Sequence, residues 1–376
     1  MIKVQQSELS KVLNQVSKAS SSKPTIPILS NTHISVLGGK LVFFSTDIEI
    51  GIRSSLSASI EKEFEDITVN ARQLSEYINS LTDTELKISR KDKTINIENE
   101  YSHAEFTTIP PGNEYPALPR LDGLTPILEI SGTVLLDSIH KTVFAVSTDN
   151  IRPVLTGVLF EFSEGKLNIV GVDGYRLSRK SIKVDSKFNA KYIIPSRALK
   201  EVANIIDNTD EIIQIFAINK GEKVNQIAFK YRDVEIYSRL IDGEFPDYNA
   251  ILPKSHTVEF KMDRHILAAN LKTIDTFAKN IIGNKTSFKF DTSEKNLHLK
   301  VQDPERGIIE TNLDIFEVEG NGFETGFNAR YLSDMCSSIS SNEILFRSAA
   351  AGMPAQFINP NDSTYLHIIM PMKVEN

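Results

Sequence analysis

Three stretches of this chain are versions of one pattern: VNARQLSEYINSL from Val69, IPSRALKEVANII from Ile194 and FNARYLSDMCSSI from Phe327. Arg72, Arg197 and Arg330 hold one register, and Leu74, Leu199 and Leu332 hold another. In each copy a small polar residue comes first and apolar residues follow the Leu at three- or four-residue steps. That pattern specifies a capped helix with a single apolar stripe. Arg72 lies 125 positions before Arg197, which lies 133 before Arg330. A repeat of that length in 376 residues implies three units of similar size, each large enough for its own core.

Other landmarks keep the register. Helices are expected over 7–18, 133–147 and 263–279, aligned through Leu9, Leu135 and Leu267. Together with 71–81, 196–206 and 328–340 they make two per unit. Hairpins turn at Gly38-Gly39, at SEGK and at SEKN, followed by Leu41, Leu167 and Leu297, then by Asp47, Asp173 and Asp303. Pro-rich stretches at 110–119 and 245–254 close the first two units. The expected fold is α+β, with three repeated domains at 1–122, 123–253 and 254–376. Each carries two helices on one face of antiparallel sheet, with roughly eight strands. Such an array has open sheet edges that invite a second copy, and head-to-tail pairing closes a ring if the rotation allows.

The net charge of −7 argues against nucleic acid unless charge is segregated. The six helix spans hold ten basic residues: Lys11, Lys18, Arg72, Lys141, Arg197, Lys200, Arg264, Lys272, Lys279 and Arg330. They hold seven acidic ones: Glu8, Glu76, Asp137, Glu201, Asp263, Asp275 and Asp334. The helices therefore net +3 and the remainder −10. A helix-lined surface would be mildly basic, although solvated helix faces also mix charges in this way.

No phosphate loop, HExxH, GxSxG or CxxC is present. Cys336 alone forms no internal disulfide and reads as a small apolar helix residue. No apolar run is long enough to span a membrane, and the N-terminus lacks a signal-peptide core, so a cytoplasmic protein is expected. The repeated Asp47, Asp173 and Asp303 read as turn acceptors at strand ends. The alternative is a metal carboxylate, which would make the chain a metal-dependent enzyme using the Asp173 region. The end of the chain, with Met370 and Met372 around Pro371, reads as an adaptable apolar surface for partners.

The segments KPTIPIL, STDIEI, NIRPVLTGVLFE, VDGYRLS, LIDGEFPDYNAILPK, GFNARYL and IMPMKV, in this order, resemble the bacterial beta sliding clamps, the processivity subunits of DNA polymerase III. The resemblance implies a head-to-tail homodimer encircling double-stranded DNA without regard to sequence, helices inside and sheets outside. No cofactor, metal or catalytic residue is implied. Implied partners are the polymerase III alpha subunit, an ATP-driven clamp loader, and other polymerases and repair proteins carrying short linear motifs. The location is cytoplasmic, at the nucleoid. The implied peptide pocket comprises Leu155, Val172, Gly174, Tyr175, Leu177, Pro246, Ile251, Asn328, Tyr331, Ile368, Met370, Pro371 and Met372. Ala250 and Lys373 stand where the family usually has Arg, and Glu375-Asn376 extend the end. DNA-facing positions are Lys11, Lys23, Arg72, Arg152, Arg197, Lys200, Lys272 and Arg330. Phe106 and Phe277 are the implied dimer contacts.

Overall fold

The computed structural model describes residues 1–376 apart from 22–23, 25, 62–63, 113, 118–119, 186–187, 208 and 374–376. Among the described residues are 25 strands and six α-helices: α1 Gln6–Val16, α2 Ala71–Ser80, α3 Gly132–His140, α4 Ser196–Ile205, α5 Arg264–Ala278 and α6 Ala329–Ser338. Side-chain caps start four of them; at α3 the Ser131 hydroxyl accepts from the Val134 amide at 3.3 Å. Asn70 accepts from the Gln73 amide at 3.0 Å, Asp263 from His265 and Ile266 at 2.8 and 2.9 Å, and Asn328 from Arg330 and Tyr331 at 2.9 and 3.3 Å. All nine register leucines are buried, each contributing about 2 kcal/mol. Arg72, Arg197 and Arg330 are all exposed.

Helix α3 ends at His140 rather than continuing to 147. The Thr142 hydroxyl bonds back to the Ser138 carbonyl at 2.7 Å, and a short 3-10 turn, Val143–Ala145, follows. Strand Lys166–Val172 lies against this break. A Cβ on Gly171 would come within 2.2 Å of the Thr142 carbonyl oxygen, so a regular helix here would collide with the sheet.

The compact units are not the sequence repeats. One comprises Met1–Leu135 with Arg197–Leu240, the other Leu136–Ser196 with Ile241–Asn376. The first holds a five-stranded and an eight-stranded sheet, the second a twelve-stranded sheet. In the first unit, Val234–Arg239 pairs antiparallel with Ile50–Ser57, so strands of the second copy extend a sheet of the first. In the second unit, Tyr365–Ile369 pairs with Arg176–Lys183 in the same manner. The middle copy is shared between units, and the eight- and twelve-stranded sheets each run across a copy boundary.

The second unit buries a polar seam beside its apolar core. Lys141 lies between Asp137 and Asp362 at 3.0 and 2.9 Å, and Lys180 reaches Asp362 at 2.7 Å. Lys180 and the Lys141 ammonium hold the Asp362 carboxyl well below the usual carboxylate range despite its burial. Tyr365 shares its hydroxyl with Ser178 and Ser338 at 3.1 and 2.6 Å. His367 is fully buried against Phe144, with a ring separation of 5.5 Å, and neither ring nitrogen has a hydrogen-bond partner among the described residues.

Burial, reinforced by the Arg176 charge, depresses the His367 imidazole to about 3. Below the ordinary histidine value of about 6.5 the unfolded chain takes up a proton that the native state refuses, so stability falls as pH falls. Between pH 7.5 and pH 5 this one group is expected to remove about 2 kcal/mol. Urea unfolding of wild type and His367→Phe at both pH values checks it. The variant should lose less stability by that amount, and equal losses would show that His367 does not carry the dependence.

Candidate functional site

The residues proposed for the peptide pocket all fall in the second unit. Leu155, Val172, Leu177 and Ile368 are buried in one cluster with Phe245 and Tyr248. They form an apolar floor. Phe245 and Tyr248 are anchored from the Pro-rich stretch; the Tyr248 hydroxyl donates to Glu161, and burial plus that carboxylate raise its pKa. Pro246 and Ile251, from the same stretch, remain exposed, as do Gly174 and Tyr175, the latter at 67%. An aromatic that open beside an apolar floor is available to a partner.

The chain end is held across this region. The Met370 amide donates to the Tyr175 carbonyl at 2.8 Å, and Met372 exchanges backbone hydrogen bonds with Gly326 at 2.8 and 3.1 Å. Two glycines make room for it. A Cβ on Gly283 would lie 2.7 Å from the Met372 methyl carbon, and one on Gly326 would lie 2.8 Å from the Met372 carbonyl oxygen. Met370, Pro371 and Met372 are thus half-buried rather than free. Asn328, which caps α6, and Tyr331 are also half-buried.

Arg176 organises the neighbourhood, and sequence reasoning missed it. The buried guanidinium reaches Asp173 at 3.0 Å, Asp334 on α6 at 2.6 Å and the Phe144 carbonyl at 2.5 Å, and lies 4.2 Å from the Tyr331 ring centre. This fork fixes Tyr331 against the strand that carries Leu177. Apart from Asp173, its partners lie 32 and 158 positions away, so no local motif announces its role.

The three repeated aspartates do one job. Asp173 accepts from the Tyr175 and Arg176 amides at 2.8 and 2.9 Å, Asp47 from Glu49 and Ile50 at 3.1 and 2.9 Å, and Asp303 from Glu305 and Arg306 at 2.9 and 3.2 Å. These are Asx turns. Among the described residues no group of three His, Cys, Asp or Glu could hold a metal ion.

Of the positions expected to face DNA, Lys11, Arg72, Arg152, Arg197, Lys200, Lys272 and Arg330 are exposed, and Lys23 lies outside the described residues. Two helical cations are not available at the surface. Lys141 is buried in the seam above, and Arg264 donates to the Ser341 carbonyl at 2.8 Å. Phe106, on edge strand His103–Thr107, is half-buried and packs against Tyr77 at 5.5 Å. Phe277 packs against the core of the third copy. The most open large apolar side chain on that segment is Ile282, 97% exposed, which the sequence reading passed over.

Three family models cover nearly all of the chain: DNA polymerase III beta subunit, N-terminal domain (residues 1–119), central domain (129–247) and C-terminal domain (249–373). Curated relatives include the beta sliding clamp of Caulobacter vibrioides, 28% identical over 380 residues with 99% of each chain covered. That of Staphylococcus aureus is 26% identical over 371 residues, with 96% of each covered. Among solved structures, the DNA polymerase sliding clamp from Bacillus subtilis superposes with a TM-score of 0.91 at 25% identity, covering 100% of this chain and 99% of the other. The DNA polymerase III beta chain from Streptococcus pneumoniae gives 0.92 at 24%, with 99% of each covered. No helix among the described residues is long and apolar enough to cross a membrane.

Proposed function

Since the chain belongs to the family of the DNA polymerase III beta subunits, the bacterial sliding clamps, we propose that two copies close head to tail around duplex DNA and tether a polymerase to it. The protein is a DNA sliding clamp and performs no chemistry of its own. Its three clamp domains are taken as 1–122, 123–253 and 254–376.

One observation carries the ring. At both internal junctions the last strand of a following copy extends the sheet of the copy before it. By that rule His103–Thr107, the last strand of the first copy, lacks a preceding copy, and it is a sheet edge. Within Gly307–Glu319, residues 307–314 pair with Asn296–Asp303 on one side, and the other side is open as far as Ile315. A second chain supplies the missing neighbour at each edge, and two such seams close the array. Phe106 belongs to one side of the seam. Phe277 and, more openly, Ile282 belong to the other.

The apolar floor, the held tail and Tyr175 support a groove for short linear motifs. The proposed occupants are the polymerase III alpha subunit, the clamp loader, and other polymerases and repair proteins. The location follows as the cytoplasm, at the nucleoid.

Sedimentation tests the closed dimer. Wild type should run at about twice 42.1 kDa. Phe106→Ala combined with Ile282→Asp removes apolar burial and places a charge in the seam, which should produce monomer at micromolar concentration. A monomeric wild type, or a variant that stays dimeric, would overturn the assignment.

A further inference from the structure

The first and third copies carry their helix pairs at equivalent positions but with different chemistry between the helices. One offset of 258 residues carries Leu9 to Leu267, Arg72 to Arg330, Asn14 to Lys272, Ser21 to Lys279, Glu76 to Asp334 and Asn79 to Ser337. Between α1 and α2 the polar groups satisfy one another. Asn14 and Asn79 exchange amide hydrogen bonds at 2.7 and 3.1 Å, Ser75 donates to Asn14 at 3.1 Å, and Arg72 pairs with Glu76 at 2.7 Å.

Between α5 and α6 those locks are gone. Lys272 and Ser337 replace the two amides. Asp334, which would pair with Arg330 one helical turn away, is instead held by the Arg176 guanidinium at 2.6 Å. Arg330, Lys272 and Lys279 have no ion pair among the described residues, and all three are exposed. They line a groove of about 550 Å³ in which Asp275 is the sole carboxylate. The Ser333 and Ser337 hydroxyls donate back to their own helix, to the Ala329 and Ser333 oxygens, each at 3.0 Å. The cations are therefore the groups left to act.

We propose that the α5/α6 groove of the third copy is a phosphate seat, holding one strand of the encircled duplex, and that the equivalent α1/α2 groove of the first copy contributes little by comparison. The inference rests on the DNA-encircling reading above and adds a location to it. Lys272 on α5 and Lys279 just past its end lie two turns apart, about 10 Å, a spacing that suits separate phosphates along a strand rather than one small anion. A phosphate entering the first-copy groove would have to break hydrogen bonds and an ion pair already made, which cancels much of its gain. In the third copy it meets three cations with no ion pair to break, opposed by the one carboxylate of Asp275. The buried Arg176 thus serves both surfaces of the unit: it orients Tyr331 toward the peptide groove and, by engaging Asp334, frees Arg330.

The test is the salt dependence of binding to short linear duplex. Each phosphate that the protein no longer neutralises flattens the log–log slope by about 0.9. The triple variant Lys272→Ala, Lys279→Ala, Arg330→Ala should flatten it by about 2 to 3, whereas Arg72→Ala should flatten it by less than about 1. Lys272→Arg with Lys279→Arg should keep the wild-type slope, which separates charge from folding, and melting temperatures confirm intact protein. An unchanged slope in the triple variant, or an equal change in Arg72→Ala, overturns the proposal. Release from circular DNA on linearisation is measured on the same preparations. That result decides the ring and the slope decides the groove, so the two can fail separately.

Discussion

Cutting a loaded DNA circle is expected to strip the protein from it. A ring that encloses duplex leaves either by parting a protein seam or by sliding off an end. Nicked circles offer no end, so retention should be nearly complete at salt concentrations that abolish binding to linear duplex of the same length. A chain with net charge −7 and only exposed, partly paired helix cations cannot hold DNA by attraction alone under those conditions. The expected result is a labelled clamp that stays on the circle as salt is raised and departs when a restriction enzyme linearises it. The monomeric Phe106→Ala, Ile282→Asp variant should show no retention on either form. If the wild type remains after linearisation as firmly as before, enclosure is not what holds it and the clamp reading fails.

Removing the end of the chain should weaken partner binding sharply while leaving the ring intact. Truncation after Ile369 deletes Met370 and Met372, whose backbones bond to Tyr175 and Gly326. It also uncovers the space that Gly283 and Gly326 reserve for Met372. The groove loses one wall and part of its apolar surface, and the two remaining sides lose the strap that joins them. The two methionine side chains are half-buried, so the part a peptide covers corresponds to about 1.5 to 3 kcal/mol, a loss of about ten- to a hundredfold in affinity for a motif peptide. Titration calorimetry with a peptide from the polymerase reads the loss, and sedimentation reads the unchanged dimer. Undiminished affinity would place the groove elsewhere.

Much of the fold was readable because it is written three times in local patterns. The caps at Asn70 and Asn328, the leucine registers and the turn aspartates each depend on residues within a few positions. The end of α3 was not readable, because the strand bearing Gly171, not the helix sequence, sets it. At the candidate groove, four of the residues named by resemblance, Leu155, Val172, Leu177 and Ile368, fall in one buried cluster. The roles of Arg176, Gly283 and Gly326 could not be read locally, since each is defined by a neighbour far along the chain. Ile282 was overlooked for the opposite reason: within NIIGN an isoleucine looks like core, and only exposure of nearly its whole surface marks it out. Charge counting over whole helices could not see which groups of either sign were already committed: Lys141 and Arg264 among the bases, Asp137 and Asp334 among the acids.

The strand exchange across copy boundaries bears on how such a ring could come apart. At each internal junction five residue pairs of backbone ladder join neighbouring copies, and the peptide chain also passes from one copy to the next. The seam between two chains would repeat the ladder without the covalent thread. Of the six joints in the ring, the two lacking that thread are therefore the ones that yield under load.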